Sequence, residues 1–253
     1  MVDFWIMVGL VAFGVLALTG LVAMRARKPR EHWSLFDVAL AFAALLWVSG
    51  GGGALAVRAI SGGWNAGAVI PLVPTISISA LGSLAAVAVA LALGRPWREL
   101  GFRPTTDSSL VLAFALAIVF LAVSMLWVNG LEAAGVEIGE QQIVTLLREH
   151  WGSAGMVVAI VYGVGLAPIL EEIVFRGFAL PPLVRALGPV PAIAIDALAF
   201  GLLHLDDPVA VPPLALLGAT LAWLRWRTGS LWPSFVLHFT NNLIAFVILL
   251  AGP

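Results

Sequence analysis

Eight stretches of this chain, at about 4–24, 35–58, 67–94, 108–130, 154–178, 190–205, 209–227 and 231–251, are apolar over lengths close to the hydrocarbon thickness of a bilayer. No other feature limits the fold so strongly. A run of about twenty apolar residues is read as a transmembrane helix. The expectation is an all-α, polytopic transmembrane helical bundle of about eight spans. Hydrophobic residues are 61% of 253, charged residues only 11%, and mean hydropathy is +1.05, which sets the chain outside the range of soluble domains. The loops between the runs are too short for a soluble domain. One integral membrane domain is expected over 1–253, with N-terminal helices in 1–130 and a chemically richer core in 154–246.

The start, Met1-Val2-Asp3-Phe4-Trp5, has no basic region before a long apolar run, so it reads as a first span and not as a cleaved signal peptide. Span six is short, and Pro208, Pro212 and Pro213 crowd the start of span seven, so that pair is expected to be tilted or partly re-entrant. Gly50-Gly51-Gly52-Gly53 should loosen or break the outer end of span two.

Basic residues set the orientation. Arg25, Arg27, Lys28 and Arg30 follow span one; Arg95, Arg98 and Arg103 follow span three; Arg185 follows span five, with Arg176 close by; Arg225 and Arg227 end span seven. Threaded through eight spans, these fall on one side, and Arg58 and Arg148 on the other. The positive-inside rule makes that basic side cytoplasmic and leaves both termini outside. Trp33, Trp97, Trp226 and Trp232 then lie at cytoplasmic ends and Trp5, Trp64 and Trp151 at outer ends, as an aromatic belt requires. The outer segment Gln142–Trp151 has helical apolar spacing and reads as an interfacial helix. A net charge of −1 gives no basis for nucleic-acid binding, and with no cysteine there is neither disulfide nor thiolate metal site.

Polar residues in the first four spans are small: Ser49, Thr75, Ser77, Ser79, Ser83 and Ser124, which suit helix packing. Later spans differ. Span five carries Glu171, Glu172 and Arg176, span six Asp196 and His204, and span eight His238, Asn241 and Asn242. Ionisable groups at membrane depth are costly and mark functional sites by default. Glu172 and Arg176 are four apart and can pair on one helix face. Glu171 is turned about 100° from that face and must be answered by another helix, which suits a general base. Phe200 and His204 share a face, as do His238 and Asn242. Asp196 lies on the Phe200–His204 stripe, where it either solvates the cytoplasmic mouth or pairs with Arg176 or Arg185. Asp206 and Asp207 before Pro208 read as a turn. At about 1.5 Å per residue, Glu171 and His238 both lie roughly 10 Å from the cytoplasmic side, whereas His204 comes out near 20 Å. A glutamate, two histidines and an asparagine in three late spans are the parts of a water-activating hydrolase.

Glu171-Glu172-x-x-x-Arg176, Phe200-x-x-x-His204 and His238-x-x-x-Asn242 resemble, in order and spacing, the three motifs of the CPBP (Abi) family, the CAAX prenyl endopeptidases and bacteriocin-processing or immunity proteins. Pro168 and Thr228-Gly229-Ser230-Leu231-Trp232-Pro233 are also similar to that family, and the likeness covers about 154–246. Asp196 departs from it, since the family commonly has a small or hydroxyl residue there. The resemblance implies an intramembrane endopeptidase in which Glu171 activates water and His204 positions that water or binds a metal. His238 and Asn242 would polarise the carbonyl and stabilise the oxyanion. Glu172 and Arg176 would be mainly structural, with Phe200 supporting.

Two mechanisms stand at this stage. Glu171, His204 and His238 form a candidate three-ligand zinc site, while a glutamate-driven, metal-free route needs no further residue. The implied partner is a membrane-anchored peptide or protein reached from the lipid bilayer. The Ala, Gly, Val and Leu content points to a bacterial inner membrane, where prenylated tails are not expected, with the active site opening toward the cytoplasmic side. Other classes consistent with the residues are a non-catalytic scaffold or bacteriocin-immunity protein and a proton-coupled transporter. The transporter would favour matched repeats in both halves, and the polar residues here are confined to one.

Overall fold

The computed structural model describes residues 2–26, 32–61, 72–93, 97–136, 138, 154–205 and 207–251. All regular structure among them is helical: α1 (Val2–Ala26), α2 (Leu35–Ser61), α3 (Leu72–Ala92), α4 (Trp97–Leu100), α5 (Asp107–Ala133), α6 (Ala154–Ile160), α7 (Ala167–Glu172), α8 (Leu180–Leu187), α9 (Pro189–Leu202), α10 (Val211–Thr228) and α11 (Trp232–Ala251). Between α6 and α7 the path is π-helical over Val161–Leu166, and between α7 and α8 over Ile173–Ala179. Among the described residues, four helices are long and apolar enough to cross a membrane: Val8–Ala26, Leu35–Leu55, Asp107–Ala133 and Met156–Leu187. Ser77–Ala92, Pro189–Leu202 and Trp232–Ile248 are apolar but shorter. The Gln142–Trp151 segment, Asp206 and the basic cluster after Ala26 lie outside the described residues.

The chain divides into two compact units, Met1–Arg95 with His150–Tyr162, and Pro96–Glu149 with Gly163–Pro253. The first is built on close helix approach. Ala41, Ala44, Ala86 and Ala90 are buried, and the absent Cβ of Gly82 lets α3 lie against the Leu45 carbonyl and Ser49 of α2. Arg25 at the end of α1 binds Asp37 of α2 at 2.6 Å and the Ser34 hydroxyl at 2.6 Å, which ties the end of α1 to the start of α2. Contrary to expectation, α2 is unbroken through its four glycines. Glycine costs about 1 kcal/mol in a helix, but in lipid an opened turn would leave backbone groups with no partner. Gly51 also meets Val11 of α1, where a Cβ would come within 2.9 Å of that side chain.

In the second unit, Thr106 caps α5, its hydroxyl accepting from Ser109 N–H. Trp127 of α5 donates its indole N–H to the Val209 carbonyl at 2.9 Å, holding the link between α9 and α10. The prolines of span seven occupy the first turn of α10, where no intrahelical N–H is needed. α9 and α10 pack backbone to side chain. A Cβ on Gly201 would meet the Val211 carbonyl at 2.9 Å, and one on Gly218 would meet Ala197 at 3.1 Å. α10 ends at Gly229 in the left-handed region (φ 68°). There Ser230 donates to the Arg103 carbonyl at 2.7 Å, and Leu231 N–H donates to the Gly101 carbonyl at 2.8 Å. Arg103, after span three, and Arg225 and Arg227, at the end of span seven, thus gather at one end of this unit. Arg185 differs from expectation by lying inside α8, because the helical path of span five continues past 178 to Leu187.

Candidate active site

Span five is irregular for a reason written in its prolines. Pro168 sits in the first turn of α7 and Pro181 and Pro182 in that of α8, and none of them can donate to a preceding carbonyl. Each is reached through a π-helical turn; at the second, Leu180 N–H reaches back to the Phe175 carbonyl. Such turns are frequent at functional sites, because they re-aim side chains without ending the helix. The short α7 that they bracket carries both glutamates.

The two carboxylates have different surroundings. The Glu172 side chain is 2% exposed, and one of its oxygens, Oε1, meets both Arg176 Nη1 at 3.3 Å and His238 Nδ1 at 3.0 Å. The Glu171 side chain is 24% exposed, and its Oε2 lies 3.7 Å from His238 Nε2. One imidazole from α11 therefore has a glutamate at each ring nitrogen. The shorter contact selects the tautomer: Nδ1–H donates to Glu172, which leaves Nε2 directed at Glu171. From the sequence, Glu172 is expected to be mainly structural. Helical spacing could not join positions 172 and 238 on separate helices, and the shared depth of Glu171 and His238 was the available signal.

Arg176 is fully buried: Nη1 bonds Glu172, Nη2 donates to the Gly218 carbonyl at 2.9 Å, and Nε lies 3.2 Å from Asp196 Oδ2 as an ion pair without a hydrogen bond. Its guanidinium also lies 4.6 Å over the Phe200 ring and 5.3 Å over that of Phe175. A charge removed from water needs this density of partners. Asp196 is thus not at the mouth. Its side chain is wholly buried against Arg176, because the face it shares with Phe200 is the one that α9 turns toward span five.

Phe200 joins the remaining parts. Its ring packs edge-on against His238 at 5.6 Å and Phe175 at 5.4 Å, and tilted against His204 at 5.4 Å. The two histidines therefore share one aromatic neighbour despite the unequal depths expected of them. α9 stops at Leu202, so His204 lies in the turn that follows, where its Nδ1 meets the Phe200 carbonyl at 3.1 Å and Nε2 is left as an acceptor. Asn242 donates to the Gly163 carbonyl, in the first π-helical turn, at 2.8 Å, and its own carbonyl accepts from Asn241 at 3.2 Å. One amide hydrogen of Asn242 is committed to holding α11 against that turn.

A zinc ion on Glu171, His204 and His238 requires three converging donors. Among the described residues no group of three or more His, Cys, Asp or Glu side chains is arranged to hold a metal ion. Nδ1 of His238 is taken by Glu172 and Nδ1 of His204 by a backbone carbonyl, which leaves the Nε2 of each ring, with Glu171, as the donors that would hold such an ion. The arrangement does provide a partly exposed carboxylate beside an oriented imidazole, among buried apolar side chains.

Residues 153–244 match the family model described as "Type II CAAX prenyl endopeptidase Rce1-like". Searches of curated proteins and of solved structures each gave no match. The matched segment contains both glutamates, Arg176, Asp196, Phe200, both histidines, Asn242 and Gly218, and hence every contact of the cluster described above. Through residues 153–244 this chain is thus similar to the type II CAAX prenyl endopeptidases, consistent with its resemblance to the CPBP/CAAX protease family.

Proposed function

We propose that this protein is an intramembrane endopeptidase that hydrolyses a peptide bond in a membrane-anchored peptide, with Glu171 as the base. The observation that carries the reading is the placing of His238 between two carboxylates, with only Glu171 partly open. Nε2 and the Glu171 carboxylate are both acceptors, so a water molecule between them is held by its two O–H groups. Glu171 takes one proton, and the resulting hydroxide adds to the scissile carbonyl carbon. The developing oxyanion is stabilised by the uncommitted amide hydrogen of Asn242, while His238, whose Nε2 accepts in this tautomer, keeps hold of the remaining O–H of the attacking water and does not polarise the carbonyl itself. The proton on Glu171 passes to the leaving nitrogen as the C–N bond breaks, which gives a free carboxylate and amine. His204, with Nε2 free, orients the water or the substrate.

The family description supports a lipid-modified tail as the substrate class, and a lateral route from the bilayer suits any anchored peptide. The basic residues gathered at one end of the second unit support a cytoplasmic opening.

The test is cleavage of a prenylated CAAX peptide and of unmodified leader-type peptides by purified protein, beside Glu171→Gln and His238→Ala. Each variant should lose about 100- to 10,000-fold in kcat while remaining inserted and folded. Full activity in both would overturn the assignment. Element analysis of the same samples separates the routes: near-stoichiometric zinc lost together with activity in His204→Ala would replace the glutamate mechanism with a metallopeptidase one. Inactivity on every peptide, with a cellular phenotype indifferent to Glu171→Gln, would leave a scaffold or immunity role.

A further inference from the structure

Asp196 is the buried charge that the mechanism above does not use. Its side chain has no exposure, and it contributes a second carboxylate to an arginine that already has one. For structure alone this is wasteful, since each buried carboxylate must recover its own desolvation cost and one partner would answer Arg176. Its geometry indicates a different use. Asp196 Oδ2 lies 3.2 Å from Arg176 Nε, an ion pair without a hydrogen bond, so its pull on the guanidinium is one of charge; Nη2 bonds the Gly218 carbonyl at 2.9 Å, and only Nη1 reaches Glu172, at a long 3.3 Å. The Glu172 oxygen that receives Nη1 is the same one that holds His238 Nδ1, at a shorter 3.0 Å. Arg176 and His238 therefore compete for a single oxygen, and the other Glu172 oxygen has no hydrogen-bond partner among the described residues.

We infer that Asp196 is a positioning residue for the reaction: it draws the guanidinium of Arg176 away from Glu172, so that Glu172 Oε1 stays committed to His238 and Nε2 stays aimed at Glu171. The chain of contacts runs from α9 through span five to α11 and ends on the group placed beside the scissile bond. Without Asp196, the full charge of Arg176 falls on Glu172. The Arg176–Glu172 pair tightens, the His238 contact loosens, and the imidazole is freed to change tautomer or rotate. Gly218 keeps the geometry selective, because its missing Cβ leaves room for Nη2, which would otherwise lie 3.3 Å from it.

The inference rests on the endopeptidase reading, and the experiment separates the two. Full-length protein labelled with 15N-histidine is compared as wild type, Asp196→Asn and Asp196→Ala, with His238→Ala assigning its signal among the four histidines. Asp196→Asn is nearly isosteric and removes only the charge, so it covers the case in which the alanine variant fails to fold. Wild type should show His238 as the Nδ1–H tautomer in a strong hydrogen bond. Both variants should shift its two nitrogen signals, and kcat should fall about 10- to 100-fold with KM unchanged. Nitrogen signals for His238 identical to wild type in both variants would overturn the inference, whatever happens to activity, since a packing role moves stability and not the tautomer. If wild type cleaves no peptide and yet the signals shift, the positioning role stands and the endopeptidase reading fails.

Discussion

Glu171 and Glu172 are neighbours in sequence and nearly opposite in circumstance, and that contrast organises the chemistry. Glu172 is sealed between a guanidinium and an imidazole, while Glu171 keeps a quarter of its side-chain surface open. Replacing Glu172 by Gln should act through His238: the amide can still accept from Nδ1 but no longer balances Arg176. We expect kcat to drop about 10- to 100-fold with KM little changed, read by steady-state kinetics beside Glu171→Gln, for which the expected loss is about 100- to 10,000-fold. Equal and near-complete loss in both variants would mean that the two glutamates share the base's role. The motif residues were legible because ionisable groups are conspicuous against apolar spans. Their partners were not, because pairing across helices depends on rotation and tilt, which a linear sequence does not encode. Asp196 illustrates this: its stripe was correct, and its burial against Arg176 was one of three readings open at that stage.

At the scale of the element, the cluster depends on helices that approach closely at glycine and turn sharply at proline. α9 and α10 touch where Gly201 faces Val211 and Ala215, and where Gly218 faces Ala197 and Arg176. Gly218→Ala inserts a methyl 3.1 Å from the Ala197 backbone and 3.3 Å from a guanidinium nitrogen that cannot move without giving up a bond. The expected cost is about 1–3 kcal/mol, together with loss of activity. Gly135→Ala, at φ 81° on the open end of α5, should cost about 1 kcal/mol with activity retained. Thermal unfolding in detergent with parallel cleavage assays would check both, and a Gly218→Ala variant of wild-type activity would contradict the packing argument. Helix positions were largely readable from apolar run length, and the prolines marked where the chain bends. The π-helical turns were not readable, since a one-residue insertion in hydrogen-bond register leaves composition unchanged. The glycine run of α2 misled in the opposite direction, because helix propensity measured in water overstates the cost of glycine where lipid permits no alternative backbone partner.

At the scale of the whole molecule, the chemistry and the basic charge can be placed on sides of a membrane by experiment. Arg103, Arg225 and Arg227 are brought to one end of the second unit by the Ser230–Arg103 and Leu231–Gly101 bonds, and a cluster of that sign is retained on the cytoplasmic side during insertion. α5 leaves that end at Asp107 and finishes at Ala133, about 40 Å further along at 1.5 Å per residue, enough to cross the hydrocarbon layer. Thr105 and Val136 therefore sit on opposite sides in this threading. The chain has no cysteine, so each position can carry a single thiol without background. In spheroplasts, Val136→Cys should react with a membrane-impermeant maleimide, and Thr105→Cys should react only after permeabilisation. The reverse pattern would place the basic end outside and turn the proposed active site away from the cytoplasm. Because α11 begins at the same end, with Trp232 beside Phe102 at 6.1 Å, His238 lies two turns in from whichever surface Thr105 reports. One labelling experiment thus fixes the side from which a substrate's soluble portion must reach Glu171.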